Sequence, residues 1–298
     1  MLAFVGILIL FIHHIATSIQ ASSIISSIAE EAMEAIDKVF PDKLTRVIEE
    51  DDKAQALHLP LQCSWHTVPA KKNGYLQNVD YDALLHFACK HNTIAKMNYG
   101  IGEFVVKGTE LASLALVGPP SKEAIEAFHS FFSTASHRTI EQDPAFGLRQ
   151  IVDAAVKALS PGINDTTTAV TCMNYLAAIL ASLGKRSFPS PFHYKQDKLW
   201  LVTIEPTFDT FLAASFDEIL GSAKSNVAAL IGMTRALQTI ATQLEVPRRR
   251  EALHELTQRV GEAAGQSVES AYDLALIDRQ IARTRVALKH HPVFAPGD

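Results

Sequence analysis

The chain has 298 residues, 48% of them hydrophobic, with 27 basic and 32 acidic side chains and a formal charge of −5. This length suits one large or two modest folded domains, and the composition, without long charge blocks, excludes a disordered chain and a basic nucleic-acid-binding surface. Cys63, Cys89 and Cys172 are far apart and odd in number, which argues against a disulfide framework and favours a reducing compartment.

Residues 1–40 are predicted to form a membrane-anchoring and juxtamembrane helix. Leu2 to Ile12 is apolar throughout apart from Gly6, and after it the apolar residues recur at helical spacing. A full bilayer span needs about 20 apolar residues, so this run predicts half a span. A secretory signal peptide is the alternative, but no basic residue precedes the apolar run, and the helical pattern continues past any cleavage point near Ala21.

His13 and His14 follow the apolar run. We expect their rings to lie at the membrane interface, where an apolar body and a polar tip are both accommodated. The alternatives are a proton relay, or the lining of a pore in an oligomer. The segment Thr17 to Ala29 is rich in Ser and Ala, which lets helix backbones approach closely and predicts a homo-oligomer through this helix.

Residues 58–118 are predicted to form a small β module with one short helix, Tyr81 to His91. Strand-like runs separated by turn residues occur at Leu61–Val68, Tyr75–Val79, Thr93–Tyr99, Phe104–Val106 and Ser113–Val117. The glycines around Glu103 to Val106 resemble the turn-strand-turn of barrel-sandwich modules such as lipoyl domains. No lysine stands where lipoylation requires one, so the resemblance implies shape only, and we expect no cofactor.

His86, Cys89 and His91 are weak candidates for a metal site, because His and Cys three residues apart share a helix face. The sequence provides no paired Cys-x-x-Cys spacing and no clear fourth ligand. Ordinary half-buried helix residues are the favoured interpretation, and we predict no metal.

Residues 119–298 are predicted to form a helical bundle of about five or six helices with a short hairpin near 193–203. The spacing predicts a first helix from Ser121 to about Ser136. Pro247 opens the last helices, and the basic run Arg248 to Arg250 behind it is interpreted as a solvated helix start.

The segment Arg138 to Val170 is predicted to contain two helices joined by a tight turn. Asp143 is a helix N-cap followed by proline at the first helical position. Pro161 and Gly162 end that helix, and Asp165 caps the next one. We expect the two helices to fold back on each other.

Polar side chains concentrate in this segment and could line one ligand-binding pocket. They are Arg138, Glu141, Gln142, Asp143, Arg149, Gln150, Asp153, Asn164 and Asp165. Helix caps and ion pairs explain most of them and are the favoured interpretation. The alternative is a hydrolase-like or ligand-transforming enzyme whose candidate catalytic residues are Asp143, Arg149, Asp153 and Asp165. An enzyme predicts an enclosed pocket where the carboxylates converge, whereas a structural role predicts each one paired with an arginine or a backbone N–H.

Three segments resemble motifs of a bacterial predicted-membrane-protein family, domain of unknown function 2254. They are FIHHIATSIQ at 11–20, GEFVVKGTEL at 102–111 and RTIEQDPAFGLRQIVDAAVKALSPGINDTTTAV at 138–170. Members usually have proline after the Asn-Asp pair, where this chain has Thr166. The resemblance implies a membrane protein with further hydrophobic spans upstream and no established activity.

These observations together predict an α+β, mainly α protein with a membrane-emerging N-terminal helix, a barrel-sandwich-like β module and a C-terminal helical bundle. The preferred function is a cytoplasmic regulatory, sensing or assembly domain attached to a membrane portion, in the bacterial inner membrane. Alternatives are the enzyme above and a pore or transporter accessory subunit. The expected partners are membrane lipid, further copies of the chain and an unknown small ligand, but no nucleic acid.

Overall fold

The fold is mainly helical with two small sheets, as the predicted α+β class requires. The computed structural model describes residues 2–40 and 63–289. Two compact units are each built from separate chain segments. Of the described residues, the helical unit comprises 2–40, 147–187 and 208–289, and the sheet unit comprises 63–146 and 188–207.

The helices and strands follow one another along the described residues. The helices are α1 Leu2–Val39, α2 Tyr81–Lys90, α3 Lys122–His129, α4 Pro144–Ala158, α5 Thr166–Leu183, α6 Phe208–Ala223, α7 Val227–Ala241, α8 Pro247–Ser267 and α9 Ala271–Lys289. The strands are β1 Ser64–Pro69, β2 Gly74–Val79, β3 Ile94–Met97, β4 Phe104–Val105, β5 Glu110–Leu116, β6 Phe132–Ala135, β7 Phe192–Lys195 and β8 Lys198–Val202.

Helix α5 lies at the centre of the helical unit and packs against α1 and α7. Its predicted cap is confirmed, because the Asp165 carboxylate accepts from the backbone N–H of Thr168 at 3.0 Å. Within 2–40 and 63–289, α5 is the one helix long and apolar enough to cross a membrane, but 44% of it is buried inside the protein. The buried part of α5 belongs to the core of the helical unit.

Helix α1 has two different halves. Its C-terminal half contributes Ile25, Ala29, Ala32 and Ile36 to the core, each at most 2% exposed. This spacing of three and four residues forms a single apolar stripe. In the N-terminal half the side chains that are described are exposed, with Ile7 at 66%.

The predicted fold-back of α4 on α5 stays a prediction. The two helices meet at the Gly162 turn, where the backbone N–H of Asp165 donates to the carbonyl of Ala158 at 2.8 Å. Helix α5 also packs against α1 and α7, because its surface is apolar on more than one side and is buried by several helices.

The interpretation of Arg248 to Arg250 as a solvated helix start is wrong for Arg249 and Arg250. Arg249 is 0% exposed and Arg250 is 7% exposed. Arg249 donates to the carbonyls of Gly184 and Arg186, at 3.0 and 2.9 Å, just beyond the end of α5. Carbonyls at a helix C-terminus carry partial negative charge and lack intrahelical donors, so they can accept from a buried guanidinium.

The sheet unit contains a five-stranded sheet in the order β1-β5-β3-β8-β7 and a three-stranded sheet in the order β4-β2-β6. The five predicted strands of this region form as β1–β5, although Leu61 lies outside the described residues. Strand β8 pairs in parallel with β3. The β7–β8 hairpin therefore belongs to this sheet. The sequence-based prediction that it is part of the helical bundle is wrong.

The prediction of a helix as far as Ser136 is wrong. Helix α3 ends at His129, and Phe132 to Ala135 form β6, which pairs with β2. Phe128, Phe131 and Phe132 pack together at ring distances of 5.2 to 6.3 Å. Their spacing imitates a helical stripe, although long-range pairing with β2 determines the structure. The predicted barrel-sandwich and bundle topologies and the predicted three-part domain division stay predictions.

Replacing Arg249 by methionine is expected to destabilise the helical unit strongly. Each buried carbonyl left without its donor costs about 1–3 kcal/mol, so the free energy of unfolding should fall by roughly 2–6 kcal/mol. Chemical denaturation of the full chain in mild detergent, followed by circular dichroism, measures the loss. Arg248→Met is the matched control, because this side chain is 59% exposed and lies 3.8 Å from Asp209. Equal losses in both variants would contradict the assignment.

Candidate functional site

The sheet unit contains a buried ion pair between Arg138 and Asp143. Asp143 is 5% exposed, and its Oδ2 lies 2.8 Å from Nε and 2.7 Å from Nη2 of the arginine. Its Oδ1 accepts from the backbone N–H of Phe146 at 3.2 Å, which confirms the predicted cap of α4. Burial raises the pKa of the Asp143 carboxyl, although Arg138 and the hydrogen bond from Phe146 act in the opposite direction.

Gly102 makes room for this ion pair. The residue has φ +86°, and a Cβ placed on it would lie 2.2 Å from Oδ2 of Asp143 and 2.8 Å from Nη2 of Arg138. The backbone at 102 therefore contacts the carboxylate directly, and only glycine fits. Two of the three sequence motifs, around 102–111 and 138–170, meet at this contact.

A second polar cluster of the sheet unit joins Tyr81, His193, Thr203 and Glu205. The carboxylate of Glu205 interacts electrostatically with the hydroxyls of Tyr81 and Thr203. Nε2 of His193 lies 3.1 Å from Oγ1 of Thr203, and its ring stacks on Tyr81 with a centroid distance of 6.0 Å. The four side chains therefore form one continuous network.

Burial shifts the titration of this network towards its neutral forms. It raises the pKa of Glu205, which the hydrogen bonds from Thr203 and Tyr81 only partly oppose, and it lowers the pKa of His193. Burial and the negative charge of Glu205 both raise the pKa of Tyr81. No local pattern in the sequence predicts this network, because parallel pairing of β8 with β3 brings its members together.

The other predicted polar residues lie in different surroundings. Arg149 pairs with Asp153 at 2.6 Å and also with Glu218, all on the surface of the helical unit. Asp165 caps α5, and Asn164 has φ +49° in the preceding turn.

Arg138, Glu141, Gln142 and Asp143 belong to the sheet unit, and Arg149, Gln150, Asp153, Asn164 and Asp165 belong to the helical unit. The carboxylates of Asp143, Asp153 and Asp165 each have an arginine or a backbone N–H as partner, which is the arrangement a structural role predicts. A pocket shared by the whole set stays a prediction.

The weak metal candidates lie on and just after α2. His86 is exposed, Cys89 is half-buried, and the ring of His91 packs against Phe87 at 4.3 Å. Within the described parts of the chain, no group of three or more His, Cys, Asp or Glu side chains is placed to hold a metal ion. The side chains of His13 and His14 lie outside those described, although the backbone of both is helical.

A cavity of about 490 Å³ lies beside His91 in the sheet unit. Its walls are mainly apolar, and the thiol of Cys63 is also part of the lining. This volume lies in the range of small-molecule sites, roughly 300–1,000 Å³. The polar residues of the lining are Cys63, His91, Asn92, Thr93 and Ser121.

Gly102→Ala should destabilise the sheet unit more than Gly108→Ala. Both glycines have positive φ, +86° and +87°, but a Cβ at Gly108 meets nothing within 4 Å. Gly108→Ala therefore loses stability only through backbone strain. The additional loss of unfolding free energy in Gly102→Ala reports displacement of the buried ion pair, and we expect about 1–3 kcal/mol for an overpacked site. Thermal denaturation of the two variants measures the difference, and equal midpoints would show that the carboxylate moves aside freely.

Glu205→Gln should stabilise the protein more at high pH than at low pH. A carboxyl whose pKa is raised on folding stabilises the folded state at pH values below its unfolded pKa. This stabilisation is lost as the pH rises through the folded pKa. Glutamine does not titrate, so the variant does not lose stability in this way. The thermal midpoint of the variant minus that of the native protein should grow from about pH 4 to about pH 8. Glu126→Gln should change with the opposite sign, because Lys71 lowers the pKa of Glu126.

Comparison with known proteins identifies relatives without a described activity. The chain is 29% identical over 308 residues to an uncharacterized protein of Mycobacterium tuberculosis, which covers 99% of this chain and 57% of that protein. It is 28% identical, with the same coverage, to uncharacterized proteins of Mycobacterium bovis and of a second Mycobacterium tuberculosis strain. The chain thus spans little more than half the length of these relatives, and no solved structure matches it. Residues 1–239 match the family described as predicted membrane protein, and the chain therefore belongs to that family, domain of unknown function 2254.

Proposed function

We propose that this chain is a membrane-anchored protein in which the folded body acts as a regulatory, sensing or assembly domain on the cytoplasmic side of the bacterial inner membrane. One observation carries the proposal. Helix α1 is a single uninterrupted helix that starts in an apolar sequence and ends as a core element of the helical unit.

The C-terminal half of α1 is held firmly. Its buried stripe packs against α5, and Phe40, just past its end, makes an edge-to-face ring contact with Phe211 at 6.0 Å. Arg186 pairs with Asp37 and donates to the carbonyl of Phe40 at 3.1 Å. This end of the helix cannot move without moving the helical unit.

The N-terminal half of α1 is suited to lipid. The run Leu2 to Ile12 contains no polar side chain, and at 1.5 Å per residue it extends about 16 Å, roughly half of a bilayer core. Ile7 and Phe11 are 66% and 58% exposed. Exposing large apolar side chains to water is unfavourable, and insertion into a bilayer removes this cost.

A continuous helix joins the two environments and supports a regulatory role. Because no turn interrupts α1, a displacement in the membrane reaches the packed stripe as a rigid movement. The proposal includes a homo-oligomer, since Ser22 and Ser27 are exposed on the small-residue part of α1. The free thiols of Cys63, Cys89 and Cys172 support the cytoplasmic side.

Replacing Ile7 and Phe11 by lysine should abolish association with lipid. A lysine at mid-bilayer costs about 2.5–3.5 kcal/mol on insertion scales, so two of them should outweigh the affinity of a half-span. The measurement is flotation of the full chain with phosphatidylcholine vesicles.

The matched control replaces Val117 and Tyr272 by lysine, because these side chains are 74% and 73% exposed outside α1. The control should float like the native protein, and both variants should keep the native circular dichroism. Unchanged flotation of the Ile7 and Phe11 variant would contradict anchoring by α1.

A further inference from the structure

Two turns of the sheet unit meet at one exposed edge. The turn before β2 and the turn after β4 are joined by a hydrogen bond from the backbone N–H of Lys107 to Oδ1 of Asn73 at 2.7 Å. We call residues 71–75 together with 104–107 the lysine tip. It lies on the three-stranded sheet, in which β4 is an edge strand.

Large apolar side chains project from this tip. Phe104 is 49% exposed and Val106 is 48% exposed, whereas Val105 between them is 1% exposed. Alternation along an extended segment places Phe104 and Val106 on the same outer face. The ring of Tyr75 lies edge-on to Phe104 at 5.1 Å, so the outer face is aromatic as well as aliphatic.

Three lysines surround these side chains. Lys71, Lys72 and Lys107 are exposed, and Lys71 forms an ion pair with Glu126. Within residues 2–40 and 63–289, Lys72 and Lys107 have no acidic partner. The tip therefore presents uncompensated positive charge next to exposed apolar groups.

A small cavity opens beside the lysines. It has a volume of about 160 Å³, and Lys71, Lys72 and His129 are among its lining residues. This is below the range of about 300–1,000 Å³ found for sites of drug-sized ligands. Most of its other lining residues are apolar, among them Leu76, Val105 and Phe132.

We propose that the lysine tip is a docking surface for the headgroup region of an anionic lipid bilayer, an inference that rests on the proposed membrane anchoring. Phe104, Val106 and Tyr75 would enter the interface, where aromatic side chains are favoured. Lys72 and Lys107 would bind lipid phosphates, and the charge complementarity selects an anionic over a neutral membrane.

The first test uses lysine footprinting on the full native chain. Acetylation rates are measured by mass spectrometry with vesicles of phosphatidylcholine alone and with vesicles that also contain phosphatidylglycerol. Lys72 and Lys107 should become protected only with the anionic vesicles, whereas the exposed Lys195 of the same unit should react equally with both. Equal reactivity of all three lysines would overturn the proposal.

The second test separates the tip from α1. In the Ile7→Lys, Phe11→Lys background, the further changes Lys72→Gln and Lys107→Gln should weaken binding to anionic vesicles by about 25-fold, since each lysine near such a surface contributes about fivefold. Lys195→Gln and Lys224→Gln in the same background are the controls and should change it little.

The outcomes of the two proposals are distinguishable. Loss of neutral-vesicle flotation only in the α1 variant supports the anchor whatever the tip does. Anionic binding that is insensitive to Lys72 and Lys107 overturns the tip alone. Binding of an acidic soluble protein at the tip, without protection by vesicles, would replace the lipid as occupant and also overturn the proposal.

Discussion

The buried guanidinium groups of Arg249 and Arg250, at the start of α8, stabilise the part of the helical unit that contains the C-terminal end of α1. Arg249 binds the carbonyls of Gly184 and Arg186, and Arg250 binds those of Leu244 and Leu288. A fully buried guanidinium is tolerated because backbone carbonyl groups near helix ends take the place of the water that would otherwise solvate it. Arg186 in turn binds the carbonyl of Phe40, so the position of α1 depends on the same contacts.

The sheet unit has a comparable constraint at smaller scale. Gly102 allows the Asp143 carboxylate to approach the backbone, and Arg138 compensates its charge. The sequence motifs at 102–111 and 138–170 meet at this contact. In the network of Tyr81, His193 and Glu205, burial raises the pKa of the tyrosine and of the glutamate and lowers that of the histidine.

Local signals in the sequence predicted local structure well. The Asp143 and Asp165 caps, the strand runs of the β module and the start of α8 at Pro247 all follow from short-range chemistry. Long-range pairing cannot be predicted from local patterns. The sequence therefore predicts the β7–β8 hairpin in the helical bundle and a helix through β6, whereas both segments pair with distant strands. The burial of Arg249 escaped prediction because a basic run after proline looks the same whether water or helix carbonyls surround it.

The central claim is that one helix is lipid-facing at its start and a core element at its end. Hydrogen–deuterium exchange of the full chain, with and without phosphatidylcholine vesicles, tests it most directly. We predict that amides from Ile25 to Val39 exchange as slowly as those of α5 in both conditions, whereas exchange of amides from Leu2 to Ile12 becomes much slower when vesicles are present. Rapid exchange from Ile25 to Val39, or no effect of vesicles on Leu2 to Ile12, would contradict the account.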